Sequence, residues 1–252
     1  MLAFWQQVKF DGCRMVLRNS GFQFFTLLMP AGYYVLFTKV MSSGTIPMTV
    51  SAKYMASMIV YSGTINALFG LAALLLRYRE QGLLQWARLT PAGVRPYYLS
   101  IGLWSLLMNV SAVAVLGVVA KLVNQVSLTG SQWGSIVLIV LVGQLPTLLL
   151  GVLLSFLNRP ETLSMLSNLI TFPMAILSGL WWPISMLPSW LQPIGKLLPT
   201  YFVNDWLGAV VTRGTLNKTN LVGLTVWVVV LVTVVFVVIH QLLKRGDGVV
   251  KA

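Results

Sequence analysis

Seven side chains in this 252-residue sequence are of the types that most often carry acid–base, nucleophilic or metal chemistry: Asp11, Glu80, Glu161, Asp205, Asp247, His240 and Cys13. They are scattered. A proton relay or a metal centre needs several such groups to converge, and the lone His240 excludes a histidine-rich site. None of the five acids lies in the middle of an apolar stretch, where a proton- or sodium-coupled carrier commonly places an ionisable group. A glycine-rich loop ending in Lys-Ser/Thr is also missing, so the chain does not hydrolyse ATP by that route. His240 suits a plain interfacial position and Cys13 a small apolar one. A single cysteine excludes an internal disulfide framework.

Two polar patterns remain. The first is the basic segment Arg77-Tyr-Arg-Glu-Gln-Gly-Leu-Leu-Gln-Trp-Ala-Arg-Leu-Thr-Pro91. It offers Leu83, Leu84 and Trp86 for packing, with Arg79, Glu80 and Arg88 for orientation. That mixture suits docking to a partner, or a helix lying among lipid headgroups. The second is a pair of stripes. Ser164, Asn168, Thr171, Ala175 and Ser178 recur every three or four residues and share one helix face, as do Ser62, Asn66 and Gly70. Such stripes suit either a polar pathway or close helix packing through small residues.

The elements that carry these residues follow from composition. Hydrophobic residues make up 57% and charged residues 9%, with a mean hydropathy of +0.84, well outside the soluble range. Apolar stretches at about 22–41, 54–76, 97–120, 134–157, 162–180 and 221–243 are each close to the roughly 20 residues a membrane-spanning helix needs. β-barrel alternation is absent, so the spans are expected to be helices. Before them, residues 2–18 place Trp5, Val8, Gly12, Met15 and Val16 opposite Gln7, Asp11, Arg14 and Arg18, as in a helix lying in the headgroup plane. Pro30, Pro146 and Pro173 are expected to bend spans. Between the last two spans, residues 181–220 hold Trp181, Trp182, Trp190, Tyr201, Phe202 and Trp206 among several prolines. Such aromatics favour the membrane interface and predict short re-entrant or interfacial helices, or a hydrophobic cap.

The net charge of +12 does not call for nucleic acid. With a cytoplasmic amino terminus, Lys9, Arg14, Arg18, Arg77, Arg79, Arg88, Arg95, Arg159, Lys244, Arg245 and Lys251 fall inside. Lys39, Lys53, Lys121, Lys196, Arg213 and Lys218 fall outside. This excess is the positive-inside bias, with both termini cytoplasmic, and the clusters at span ends suit anionic lipids. Asn217-Lys218-Thr219 has the form of a glycosylation acceptor on the outer side.

Arg79-Glu80-Gln81-Gly82-Leu83-Leu84, followed by Arg88-Leu89-Thr90-Pro91, resembles the signature after the second span of type-2 ABC transporter permeases. Leu177-Ser178-Gly179-Leu180-Trp181-Trp182-Pro183, with Leu187-Pro188 and Leu198-Pro199, is similar to that family's pattern at the end of the fifth span. Many relatives place an acid immediately before the arginine; here Tyr78 precedes Arg79 and the acid is Glu80, which leaves open which side chain pairs with the partner.

The resemblance implies an all-α integral membrane protein forming one transmembrane domain over 1–252. Six transmembrane helices follow an amphipathic interfacial helix (1–20), with a coupling segment at 77–96 and a re-entrant outer segment at 181–220. It implies the permease subunit of an ABC exporter in a bacterial cell membrane. Such a subunit moves an amphipathic or hydrophobic substrate outward by alternating access. No cofactor is expected in this chain; ATP and magnesium would sit on a separate cytoplasmic ATPase. Arg79, Glu80, Gly82, Leu83, Trp86 and Arg88 would meet that ATPase. Ser62, Asn66, Ser164, Asn168, Thr171 and Ser178 would line the path. A second permease copy, identical or different, and membrane lipids complete the expected partners. A six-span secondary carrier or a lipid-modifying membrane enzyme are the alternatives.

Overall fold

The computed structural model describes residues 2–12, 20–42, 46–83, 93 and 95–245, and among them every regular element is helical. Helix α1 (Leu2–Gly12) precedes α2 (Ser20–Val35), which runs into a π-helical turn at Leu36–Val40. Helix α3 (Met48–Ile65), a π-helical stretch Asn66–Leu71 and α4 (Ala72–Glu80) form one continuous rod. Then come α5 (Arg95–Asn124), α6 (Gly130–Gly143), α7 (Leu145–Leu154), α8 (Pro160–Leu177), α9 (Gln192–Lys196), α10 (Pro199–Thr212) and α11 (Lys218–Arg245).

Among the described residues four helical stretches are long and apolar enough to cross a membrane: Met48–Glu80, Tyr97–Asn124, Gly130–Leu154 and Lys218–Gln241. The first expected span corresponds to the shorter apolar helix Phe24–Val40. The fifth is α8, whose apolar character is diluted by Ser164, Ser167, Asn168 and Thr171. The second rod is longer than its apolar stretch of 54–76. It continues because Tyr78 is still fully buried and nothing interrupts the helix before Gly82. Pro146 stands at the one interruption of the Gly130–Leu154 stretch, where α6 ends at Gly143 and α7 begins at Leu145, so the two helices continue as one broken span.

The α3–α4 rod is the centre of the bundle: 72% of its most apolar window is buried, against 11% for α11. Small residues make this possible, because they let backbones approach. A Cβ on Gly63 would lie 2.5 Å from the Gln144 side chain, and one on Gly151 would lie 2.2 Å from the Ala67 carbonyl oxygen. Trp104 of α5 donates from its indole N–H to the Val8 carbonyl of α1 at 2.9 Å and packs over Gly12. Val8 and Gly12 are therefore buried, whereas Trp5, from the same expected face, is 64% exposed. Residues Met15, Val16 and Cys13 lie outside the described residues.

The segment 181–220 is more than a surface cap. After the short helix α9, α10 packs along α3 and α6 and buries Phe202, Val203, Leu207 and Val211. Gln132 holds it there, capping α6 with Thr129 while its amide donates to the Val210 carbonyl at 2.8 Å. Asn217, from the acceptor-like triplet, accepts from the Thr219 backbone N–H at 3.0 Å, at the start of α11.

Candidate functional site

At the carboxyl-terminal end of the rod, Gln81 caps α4 and Gly82 adopts φ 66°, its N–H meeting the Arg79 carbonyl. A left-handed residue just past a helix cap strongly favours glycine, so Gly82 is where α4 is brought to an end. Arg77, Glu80 and Gln81 are exposed around this turn. Arg79 and Leu83 instead face their own chain. Arg79 donates to the Leu157 carbonyl, and Leu83 packs against the cluster of Leu71, Leu75, Tyr78, Tyr97 and Ile101. Trp86 and Arg88 lie outside the described residues.

The two polar stripes are placed differently. Ser62 donates to the Thr26 carbonyl of α2 at 2.8 Å. Asn66 donates to the Ser105 carbonyl and to Asn109 Oδ1 of α5, each at 3.1 Å. Both are buried, and the Phe22 ring covers Gly70. The polar groups of the second stripe are thus occupied in joining helices. On α8, Ser164 and Asn168 are exposed with Met165, Leu169 and Phe172, and the Asn168 amide donates only to the Ser164 carbonyl within its own helix. Further along, Thr171 and Ser178 are buried, and Ser178 donates back to the Met174 carbonyl. Ser167, one position from the stripe, donates at 2.7 Å to the Leu68 carbonyl in the π-helical stretch.

At the carboxyl-terminal end of α8, Gly179 (φ 78°) closes the helix. Its N–H and that of Leu180 return to the Ile176 and Ala175 carbonyls, a Schellman arrangement. The chain then delivers Trp181 into an aromatic cluster, with ring centroids 5.3 Å from Tyr33, 5.5 Å from Tyr61 and 5.7 Å from Phe172. Asn204 of α10 ties this corner, accepting from Ser57 at 2.9 Å and donating to the Gly179 carbonyl at 3.2 Å.

Residues 38–240 match the family model described as "ABC-2 family transporter protein". The chain belongs to this family. It is also 28% identical over 233 residues, 92% of this chain and 91% of the relative, to a Bacillus subtilis (strain 168) protein named "Putative transport permease YvfS". The chain is therefore a type-2 ABC transporter permease, a multi-pass membrane protein, and the carrier and enzyme readings lose their support. In this ABC-2 permease both motif glycines, Gly82 and Gly179, are left-handed helix ends, which is the physical reason glycine stands at each. No cluster of three or more His, Cys, Asp or Glu stands together among the described residues.

Several partners in this permease were not legible beforehand: Asn109, Gln144, Ser167 and Asn204. Asn109 and Gln144 carried a signal, being amides inside apolar stretches. If Asn66 joins helices, Asn66→Ala should lower thermal stability in detergent by about 1 kcal/mol, the usual scale for an interhelical hydrogen bond in membranes. Asn109→Ala in the same background should then cost little more, as for two members of one pair. Fully additive losses would show the two residues to be independent.

Proposed function

We propose that this permease is the transmembrane subunit of an ATP-driven exporter, with Ser20–Val40 and Pro160–Leu177 completing six spans and both termini in the cytoplasm. What carries the reading is one juxtaposition. The turn at Gly82 presents Arg77, Glu80 and Gln81 at the base of the most buried rod, and that rod packs against α8, whose lower half exposes Ser164 and Asn168. A polar edge at this depth is poorly matched to lipid. A second permease copy facing it would enclose a cavity lined by the two α8 helices. The ATPase would grip the segment from Arg77 to Arg88, with Glu80, exposed at the turn, among its contacts and Trp86 and Arg88 expected to join it. The aromatic cluster around Trp181 would close the outer end until the rods separate. An amphipathic or hydrophobic substrate suits a path with few polar groups among apolar walls, and alternating access would move it outward. ATP and magnesium belong to the partner, and the outer helices α9 and α10 sit at the outer leaflet, where Trp190 (68% exposed) anchors them.

The test is recovery of the partner. Permease carrying an affinity tag, extracted in mild detergent from cells expressing the neighbouring genes, should bring down an ABC ATPase that hydrolyses ATP in the complex. Folded permease that brings down none would overturn the coupling reading.

A further inference from the structure

Arg79 stands in the segment expected to meet the ATPase, yet its guanidinium points into the protein. Nη2 donates to the Leu157 carbonyl in the short link between α7 and α8. Nη1 is buried and has no partner among the described residues. Leu157 follows the end of α7, whose last turns carry partial negative charge that favours a cation. Directly beside this contact, Leu76, Leu154 and Leu163 are buried together, with Leu150, Leu157 and Leu166 packed on them. The base of α4, the end of α7 and the start of α8 thus share one apolar core with a charged tie at its rim. A second tie lies higher up, where Ser167 of α8 donates to the Leu68 carbonyl of the rod.

We propose that Arg79 is a positioning residue acting within this chain: it ties the base of α4 to the start of α8, so that a push on the coupling segment moves the helix bearing Ser164 and Asn168. This rests on the coupling reading above and assigns Arg79 to the inner side of that device, leaving the ATPase surface to its exposed neighbours. A fixed planar fork suits the task, since it can hold two acceptors at once; a lysine there would hold one contact without the fork.

The test uses the permease–ATPase complex in lipid vesicles, with Cys13→Ser and Asn168→Cys as background. The probe is N-ethylmaleimide, whose rate of reaction at position 168 is read with and without ATP. In the Arg79 chain ATP should change that rate. In Arg79→Gln the ATPase should co-purify as before while the ATP-induced change falls about ten-fold, within the usual range of coupling between sites. Arg79→Lys should lie between, and Glu80→Gln should weaken ATPase recovery instead. Should Arg79→Gln fail to fold, nitroxides at Gln81→Cys and Thr162→Cys in the Arg79 chain decide, because a tied pair keeps one separation in both nucleotide states. Loss of the ATPase from either Arg79 variant, an undiminished ATP response in Arg79→Gln, or a nucleotide-dependent change in that separation overturns the proposal. Failure of the Arg79 chain itself to recruit any ABC ATPase would be distinct, since it strikes the coupling reading before any variant is made.

Discussion

Asn168→Trp is expected to abolish transport while leaving the permease folded. The side chain of Asn168 is exposed and bonds only to the Ser164 carbonyl in its own helix, so its loss breaks no contact between helices of this chain. An indole at that position projects outward from α8, into whatever faces it. If a central cavity faces it, function should fall at least about ten-fold, equivalent to about 1.4 kcal/mol on the transport barrier. Val229→Trp on α11 is the matched control, because Val229 is 59% exposed on the least buried helix and a lipid-facing indole is well tolerated. Leu169→Trp, 63% exposed and about 100° further round α8, should be milder than Asn168→Trp. The measurements are folded yield by gel filtration, ATPase recovery, and complementation of a strain deleted for the gene. A folded, ATPase-bound Asn168→Trp that still complements would remove α8 from the path. One that folds but no longer pairs with a second permease would mark the stripe as a seam between copies.

The second large effect is on stability. Gly151→Ala should strip folded protein from the membrane, because the added methyl would sit 2.2 Å from the Ala67 carbonyl oxygen. Backbone cannot swing aside as a flexible side chain can, so α7 must move off the π-helical stretch. Overpacking of a tight interior costs about 1–3 kcal/mol, and a backbone clash belongs at the upper end. The same movement would loosen the nearby bond from Ser167 to the Leu68 carbonyl. Gly134→Ala on α6 is the control, since nothing lies within 4 Å of its Cβ position. Thermal denaturation followed by gel filtration should show a marked fall in Tm for the first and little change for the second. Equal Tm values would mean that α7 and the rod do not approach as described.

The clash at Gly151 also shows where reading from the sequence stops. Nothing in Leu145–Leu154 marks Gly151 as different from Gly134, because the requirement comes from a carbonyl on a helix some eighty positions earlier in the chain. The stripes make the same point. Helical spacing correctly places Ser62 with Asn66, and Ser164 with Asn168, on shared faces, since that is a property of 3.6 residues per turn. It carries no information about which face meets another helix. Only packing sends Ser62 and Asn66 to α2 and α5 and leaves Ser164 and Asn168 outward.

Composition and the apolar stretches pointed to an α-helical membrane protein, because hydrocarbon allows a chain few ways to satisfy its backbone, and the two motifs carried the resemblance to the family that matches residues 38–240. The motif glycines were legible only as members of the two motifs; the left-handed φ that requires glycine at Gly82 and Gly179 is seen in the structure. Tertiary structure alone decided the direction of Arg79. Its type and position suited an outward contact, but the carbonyl at Leu157 and the leucines beneath it draw the guanidinium inward. A charged side chain follows the nearest acceptor in three dimensions, and the chain brings that acceptor from 78 residues away.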